Sequence, residues 1–170
     1  MSLIAIDPGL KTSNTGVAVF QHDKLAYNGV FVVQNIPWRE NMNALVHYLR
    51  AFIKKNDLVV VETSFYQGKA NIMHLKTLGV LDYFFDIETI APLSVKKLLT
   101  GVGRTPKIPG KKPKVRKTKE KQRIKNAVIK VLSEKEGKIL KRDDEDAVDA
   151  VAIGLAYMTK MLGEKDVKKK

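Results

Sequence analysis

The sequence predicts an α/β domain in which a mixed five-stranded sheet is flanked by helices. Three observations carry that prediction. Short apolar, β-rich runs alternate with longer stretches of helical period. Turn residues fall between them. At 170 residues the chain has room for one domain with a real core and not comfortably for two.

Leu3 to Ile6 is a short apolar run that stops at Asp7-Pro8-Gly9, where Pro and Gly turn the chain. Thr15 to Phe20 and Leu25 to Val33 read as two strands of a hairpin around Gln21-His22-Asp23-Lys24. From about Arg39 to Lys55 apolar residues recur at helical spacing: Met42, Leu45, Val46, Leu49, Phe52 and Ile53. Leu58 to Val61 is a buried strand ending at Glu62, and a second helix is expected over Ala70 to Tyr83. Ile87 to Ile90 is a further strand, and Pro92 suits the first turn of a helix running to Leu99. Thr100 to Lys119 holds three of the six prolines, three glycines and much of the basic excess, and reads as an insertion loop at about 100–119. Helical period returns over Lys119 to Leu132. It ends the chain over Asp144 to about Leu162, rich in Ala, Val, Ile and Leu on most sides and so expected to be buried. The domain is thus expected over 1–163, with 164–170 as a basic tail.

The formal charge of +13 has a location: Arg104 to Arg142 carries sixteen Lys or Arg against three acids, which accounts for all of the excess. Charge gathered in one segment is the footprint of a phosphate-backbone binder, and no amphipathic aromatic face accompanies it as a membrane-surface helix would require. The absence of cysteine excludes disulfides, thiolate metal sites and a cysteine nucleophile, and fits a reducing compartment. The first residues have no basic n-region, and no stretch approaches the roughly 18 apolar residues that span a bilayer. A cytoplasmic, nucleoid-associated protein, or one of an equivalent DNA-containing compartment, is expected.

Four acids carry the candidate chemistry. Asp7 and Glu62 each stand at the end of a strand; if those strands are neighbours, both carboxylates meet at one sheet edge, a common place for sites in α/β sheets. Asp146 and Asp149 lie at i and i+3 on the last helix, hence on one face, within an otherwise apolar stretch. Carboxylates buried without a partner cost several kcal/mol, so a shared divalent cation is the natural counter-charge. Hard oxygen ligands without cysteine select Mg²⁺, with Mn²⁺ able to substitute. Two such ions about 4 Å apart activate a water and steady both oxygens of a phosphodiester displacement. Taken singly, the acids have plainer explanations: Asp7-Pro8-Gly9 is also a good turn, and Asp143, Asp144 and Glu145 suit a helix N-terminus, where Asp146 could belong with them.

Four stretches in order then resemble RuvC-type Holliday junction resolvases. They are Ile4-Ala5-Ile6-Asp7-Pro8-Gly9 followed by Thr15-Gly16-Val17-Ala18-Val19; Val59-Val60-Val61-Glu62-Thr63-Ser64-Phe65; Thr100-Gly101-Val102-Gly103; and Glu145-Asp146-Ala147-Val148-Asp149-Ala150. The resemblance spans residues 3 to about 157 and implies a ribonuclease H-like fold. It also implies a homodimer that cuts a four-way DNA junction by paired nicks, with two Mg²⁺ held by Asp7, Glu62, Asp146 and Asp149. By the same resemblance Phe65, with Tyr66 as the alternative, stacks on bases at the branch point, although Phe65 fits an ordinary core position equally well. Lys69, Arg104, Lys107, Lys111, Lys112, Lys114, Arg116, Lys117, Lys119 and Lys121 are the expected DNA contacts, and the family's loop lysine aligns with Lys119 or Lys121. One departure is the longer run from Thr105 to Pro113, which would let forks and flaps be accepted as readily as junctions. A general branched-DNA nuclease or ribonuclease H on the same acids is therefore the alternative, with a non-catalytic nucleic-acid binder behind it. His22, His47 and His74 read as surface or packing histidines, Trp38 as a helix-start anchor, Met42, Met73 and Met158 as core filler, and Asp82, Asp86 and Glu88 as solvated surface.

Overall fold

Alternation with a period of two sorts the strand residues onto two faces. Ile4, Ile6, Val17, Val19, Val59 and Val61 join one buried cluster, and Ala5, Ala18, Phe20 and Val60 the other. Two cores therefore lie on opposite faces of one sheet. The structure is a computed structural model and describes residues 1–9, 14–63, 65–66, 69–70, 72–102 and 113–167; the side chains of 65, 66, 69, 70, 113–117 and 164–167 are outside that description.

The strands are β1 (Ser2–Asp7), β2 (Thr15–Gln21), β3 (Lys24–Phe31), β4 (Leu58–Glu62), the short β5 (Phe65–Tyr66) and β6 (Lys69–Ala70), and β7 (Ile87–Ile90). The main sheet has the order β3-β2-β1-β4-β7. The β1–β2 and β2–β3 pairs are antiparallel, whereas β1–β4 and β4–β7 are parallel. This is the mixed five-stranded sheet that the sequence predicts. The β2–β3 hairpin turns at His22 and Asp23, with φ of 51° and 62°, the left-handed pair that a two-residue turn between twisted strands needs. β5 and β6 pair as a separate hairpin that the sequence did not signal.

The helices are α1 (Trp38–Arg50), α2 (Ile72–Phe85), α3 (Pro92–Thr100), α4 (Pro113–Val131), α5 (Glu134–Ile139) and α6 (Glu145–Val167). α1 and α2 supply Met42, Leu45, Leu49 and Leu81 to one core. α3, α4 and α6 cover the other face with Val95, Ile124, Val128 and the apolar side of α6. Three expectations need correction. Residues 113–119, read as part of the insertion loop, are the first turns of α4: Pro113 occupies the first helical position, where its missing N–H costs nothing, and the Lys, Arg and Glu residues behind it are good helix formers. α6 continues to Val167, past the expected end near Leu162 and into the expected tail. α5 was not foreseen, although its Ser133/Glu136 capping box is legible in the sequence; the Glu136 carboxylate also accepts the Leu25 N–H of β3 at 2.7 Å.

α6 lies close to the sheet because small residues face each other there. A Cβ on Gly154 would fall 2.2 Å from the Phe20 ring, and Ala5, Ala18, Ala150 and Ala156 are fully buried. Among the described residues no helix is long and apolar enough to cross a membrane.

Candidate active site

The same period of two that buries Ile6 and Val61 turns the next residue of each strand to the α6 face. Asp7 follows Ile6, and Glu62 follows Val61. Ile6 and Val61 are register partners in the parallel β1–β4 pair, so the two carboxylates emerge side by side where both strands end. Parallel neighbours are what make this possible, since antiparallel strands would send the two ends to opposite edges.

α6 brings the other two acids. Asp7 is paired across β1–β2 with Gly16, and the Asp146 backbone carbonyl of α6 sits over that glycine, 1.9 Å from where a Cβ would be. The helix start is capped by Asp144, whose side chain accepts the N–H groups of Asp146 and Ala147 at 3.1 and 3.2 Å. Asn28 of β3, buried at 2% exposure, fixes the approach further. It donates to the carbonyls of Ala147 at 2.8 Å and Val17 at 3.4 Å, and accepts the Lys141 N–H at 3.0 Å. Sheet, approach loop and helix are thereby tied at one side chain.

The electrostatics record the convergence. Burial pushes the Asp7 carboxyl well above the ordinary carboxylate range, and Glu62, Asp149 and Asp146 push it the same way, against Lys121. Burial and then Asp149 raise Glu62 to about 7, with Lys96 opposing. Asp149 is raised to about 6 by burial, then by Asp146 and Glu145 against Lys121 and Lys96. Asp146 is raised by burial and by Asp144, and it has no such influence on Glu62. Asp7, Glu62 and Asp149 thus form an inner trio, with Asp146 at its outer side. Each residue keeps part of its surface in solvent. Among the described residues no ion pair engages any of the four carboxylates, and no three acids or histidines close into a ready cage. Like charges this near repel until a cation enters between them. A cluster of hard oxygen donors whose carboxyls are raised by burial and by one another is chemically suited to Mg²⁺ or Mn²⁺.

The charges of two lysines act on the trio. Lys121 of α4 is ion-paired with Glu145 of α6, and its charge acts on Asp7, Asp146 and Asp149. Of the two lysines open to alignment, Lys121 is the one whose charge acts on the acids, although both are exposed. Lys96 of α3 was not among the residues the sequence singled out. Its signal is positional: α3 begins at Pro92, just past Ile90, which is the register partner of Glu62 in β4–β7. His74, read from sequence as a surface or packing histidine, is buried, and its ring is hydrogen-bonded to the Glu62 backbone. Phe65 and Tyr66 lie on β5 and Lys69 on β6, three residues or more past the Glu62 strand end. Lys114, Arg116 and Lys117 belong to the first turns of α4. Arg104, Lys107, Lys111 and Lys112 are outside the described residues.

No protein-family model and no curated protein sequence matches this chain. Solved structures do. RuvC of Thermus thermophilus in complex with a Holliday junction substrate superposes with a TM-score of 0.64 at 20% identity, covering 95% of this chain and 94% of that one. A second Thermus thermophilus RuvC structure gives 0.55 at 17% identity, with 94% of each chain covered. The fowlpox virus resolvase, in complex with its substrate Holliday junction DNA, gives 0.53 at 18%, covering 93% of this chain and 99% of that one. The fold is that of the RuvC-type resolvases, which is ribonuclease H-like. In this resolvase fold the described acids occupy the edge where β1 and β4 end, under the first turns of α6.

Proposed function

We propose that the protein is a metal-dependent, structure-selective DNA endonuclease that resolves four-way junctions. The observation that carries the reading is the meeting of Asp7, Glu62 and Asp149, with Asp146 beside them, at one sheet edge of a resolvase fold. The three resolvase structures of similar fold, two of them bound to Holliday junction DNA, support the substrate. The sixteen basic residues between Arg104 and Arg142 support a nucleic-acid partner by an independent route.

Asp7, Glu62, Asp149 and Asp146 would hold two Mg²⁺ ions, which when bound neutralise charge on the scissile phosphate and make a water nucleophilic. The protein's own side chains then divide the remaining work. Lys121 presents a cation at the rim of the carboxylates, toward which a phosphodiester is drawn. The basic start of α4 and the insertion before it grip the backbone without reading sequence. The apolar walls under the acids, Ala5, Ala147 and Ala150, exclude bulk water from the inner side of the cluster.

Paired nicks require two sites, hence two subunits. α2 offers a surface for a second copy: Ile72, Leu75 and Tyr83, exposed at 68, 45 and 84%, share one helical stripe with the exposed Gly79. A two-fold contact along such a stripe is self-complementary.

One gel tests the reading. Wild type is incubated with a mobile four-way junction, a fork and plain duplex, with and without Mg²⁺, beside Glu62→Gln and Asp149→Asn. The expected result is Mg²⁺-dependent symmetric nicking of the junction, at least about 10³-fold slower in either variant, with junction binding kept in gel shifts. Undiminished Mg²⁺-dependent cutting in Glu62→Gln would remove the site. Equal cutting of forks and junctions would favour a broader branched-DNA nuclease, and a purely monomeric mass in sedimentation would remove paired nicking.

A further inference from the structure

Strand alternation puts residue 28 of β3 on the α6 face, beside the core residue Ala18, its cross-strand partner. An apolar side chain is what that position calls for, yet it holds Asn28, 2% exposed. A buried amide costs stability unless its polar atoms are paired, and here they are. Its Nδ2 donates to the Ala147 carbonyl at 2.8 Å and the Val17 carbonyl at 3.4 Å, and its Oδ1 accepts the Lys141 N–H at 3.0 Å. A leucine would fill much of the same space. What the amide adds is direction.

Two of these bonds belong to a closed circuit. The Lys141 N–H goes to Asn28, and the Lys141 carbonyl accepts the Asp144 N–H at 3.1 Å. The Asp144 carboxylate accepts the Ala147 N–H at 3.2 Å, and the Ala147 carbonyl accepts from Asn28. Four hydrogen bonds thus ring the start of α6, and the bond to Val17 anchors the ring to β2. Ala147 stands between Asp146 and Asp149, so a helix gripped there resists turning about its own axis. That rotation aims the two acids. A turn of about 10° moves a carboxylate about 1 Å, because helical side chains reach about 5–6 Å from the axis. Reactive constellations tolerate only about 0.5 Å and 10–20°. Gly16 sets how near α6 comes to the sheet; Asn28 sets how it is turned.

We propose that Asn28 is a positioning residue that sets the rotation of α6 and so aims Asp146 and Asp149 at the cation they share with Asp7 and Glu62. The proposal rests on the carboxylates being a metal site, and its test separates the two. Asn28→Leu removes the amide at similar volume. Lys141→Pro and Lys141→Ala lose the same charge, but only the proline lacks the N–H that Asn28 accepts. The ψ of 118° at Leu140 suits a following proline. Leu45→Ala, a core truncation on the other face of the sheet, reports plain loss of stability. Each is compared with wild type in three measurements: the rise in melting temperature with Mg²⁺ alone, junction affinity without divalent metal, and single-turnover cleavage at a temperature where all are folded.

Asn28→Leu is expected to cut about 10- to 100-fold more slowly and to need about 10-fold more Mg²⁺ for half of the thermal stabilisation. Its junction affinity should stay within about twofold, because no phosphate-binding cation is removed. Leu45→Ala should melt at a lower temperature yet cut at the wild-type rate. Lys141→Pro should fall below Lys141→Ala in both rate and Mg²⁺ response, and this pair carries the test if Asn28→Leu does not fold. A folded Asn28→Leu that cuts and responds to Mg²⁺ as Leu45→Ala does would overturn the proposal. So would two Lys141 variants that match each other, or a loss in Asn28→Leu confined to junction affinity. A wild-type protein that neither responds to Mg²⁺ nor cuts would fail the parent reading and this one with it.

Discussion

Gly16 of β2 and the backbone carbonyl of Asp146 on α6 approach so closely that a Cβ on the glycine would lie 1.9 Å from that oxygen and 3.1 Å from the Ala150 Cβ. Gly16 is also the cross-strand partner of Asp7. One missing side chain therefore sets the spacing between the acid on the first strand and the acids on the last helix.

Gly16→Ala should accordingly damage the site more than the core. Backbone cannot yield as a flexible side chain would, so the first turn of α6 must lift. Overpacking of this kind costs about 1–3 kcal/mol. Displacing reacting groups by about 1 Å costs about 100-fold in rate. Urea denaturation and junction cleavage, both at a temperature where the variant is folded, measure the two effects. A variant that loses stability yet cuts like wild type would show that α6 does not have to sit this close.

The raised carboxylates predict an unusual dependence of stability on pH. For an acid whose folded pKa lies above its unfolded value, the folded state binds more protons, so stability is lost as pH rises between the two values. Glu62 moves from 4.5 to about 7 and Asp149 from 3.8 to about 6, while Asp7 shifts in the same direction. The destabilisation is absent below about pH 4, grows through pH 4 to 7, and is complete above about 7. In metal-free buffer the melting temperature of wild type, relative to Asp149→Asn, should fall across that window. Saturating Mg²⁺ should cancel the fall, because a bound cation replaces the protons. Parallel pH profiles for wild type and Asp149→Asn would contradict the burial of the trio.

Replacing residues 104–112, four of them basic, by a short Gly-Ser linker should weaken junction binding and flatten its salt dependence. Each phosphate contact contributes roughly 0.9 to the slope of log K against log salt on duplex DNA. Loss of two to four contacts thus lowers the slope by about 2 to 4. Fluorescence anisotropy over a salt series provides the measurement. An unchanged slope would move the DNA contact elsewhere, to α4 and the surface behind it.

Much of this was readable in the chain before any coordinates. The continuous apolar runs Leu3–Ile6 and Leu58–Val61 predict buried strands that end at Asp7 and Glu62, and helical period places Asp146 and Asp149 on one face. Those are local consequences of backbone geometry, and locality is what a sequence pattern reports. The start of α4 was hidden because Pro113 and a lysine-rich stretch look like a loop until Pro is seen at a helix N-terminus. α5 and the β5–β6 hairpin are too short for periodicity to resolve.

The sequence by itself determined which acids are available, where strands and long helices run, and where the positive charge is gathered. Only the tertiary structure decided that β4 lies parallel beside β1, that Gly16 admits α6 against Asp7, that Asn28 ties β3 to the start of that helix, and that the charges of Lys96 on α3 and Lys121 on α4 reach the acids. The reason is physical: residues 7, 62, 96, 121 and 149 are joined by packing and hydrogen bonds between distant segments, and no periodicity along the chain encodes which strand or helix comes to rest beside which.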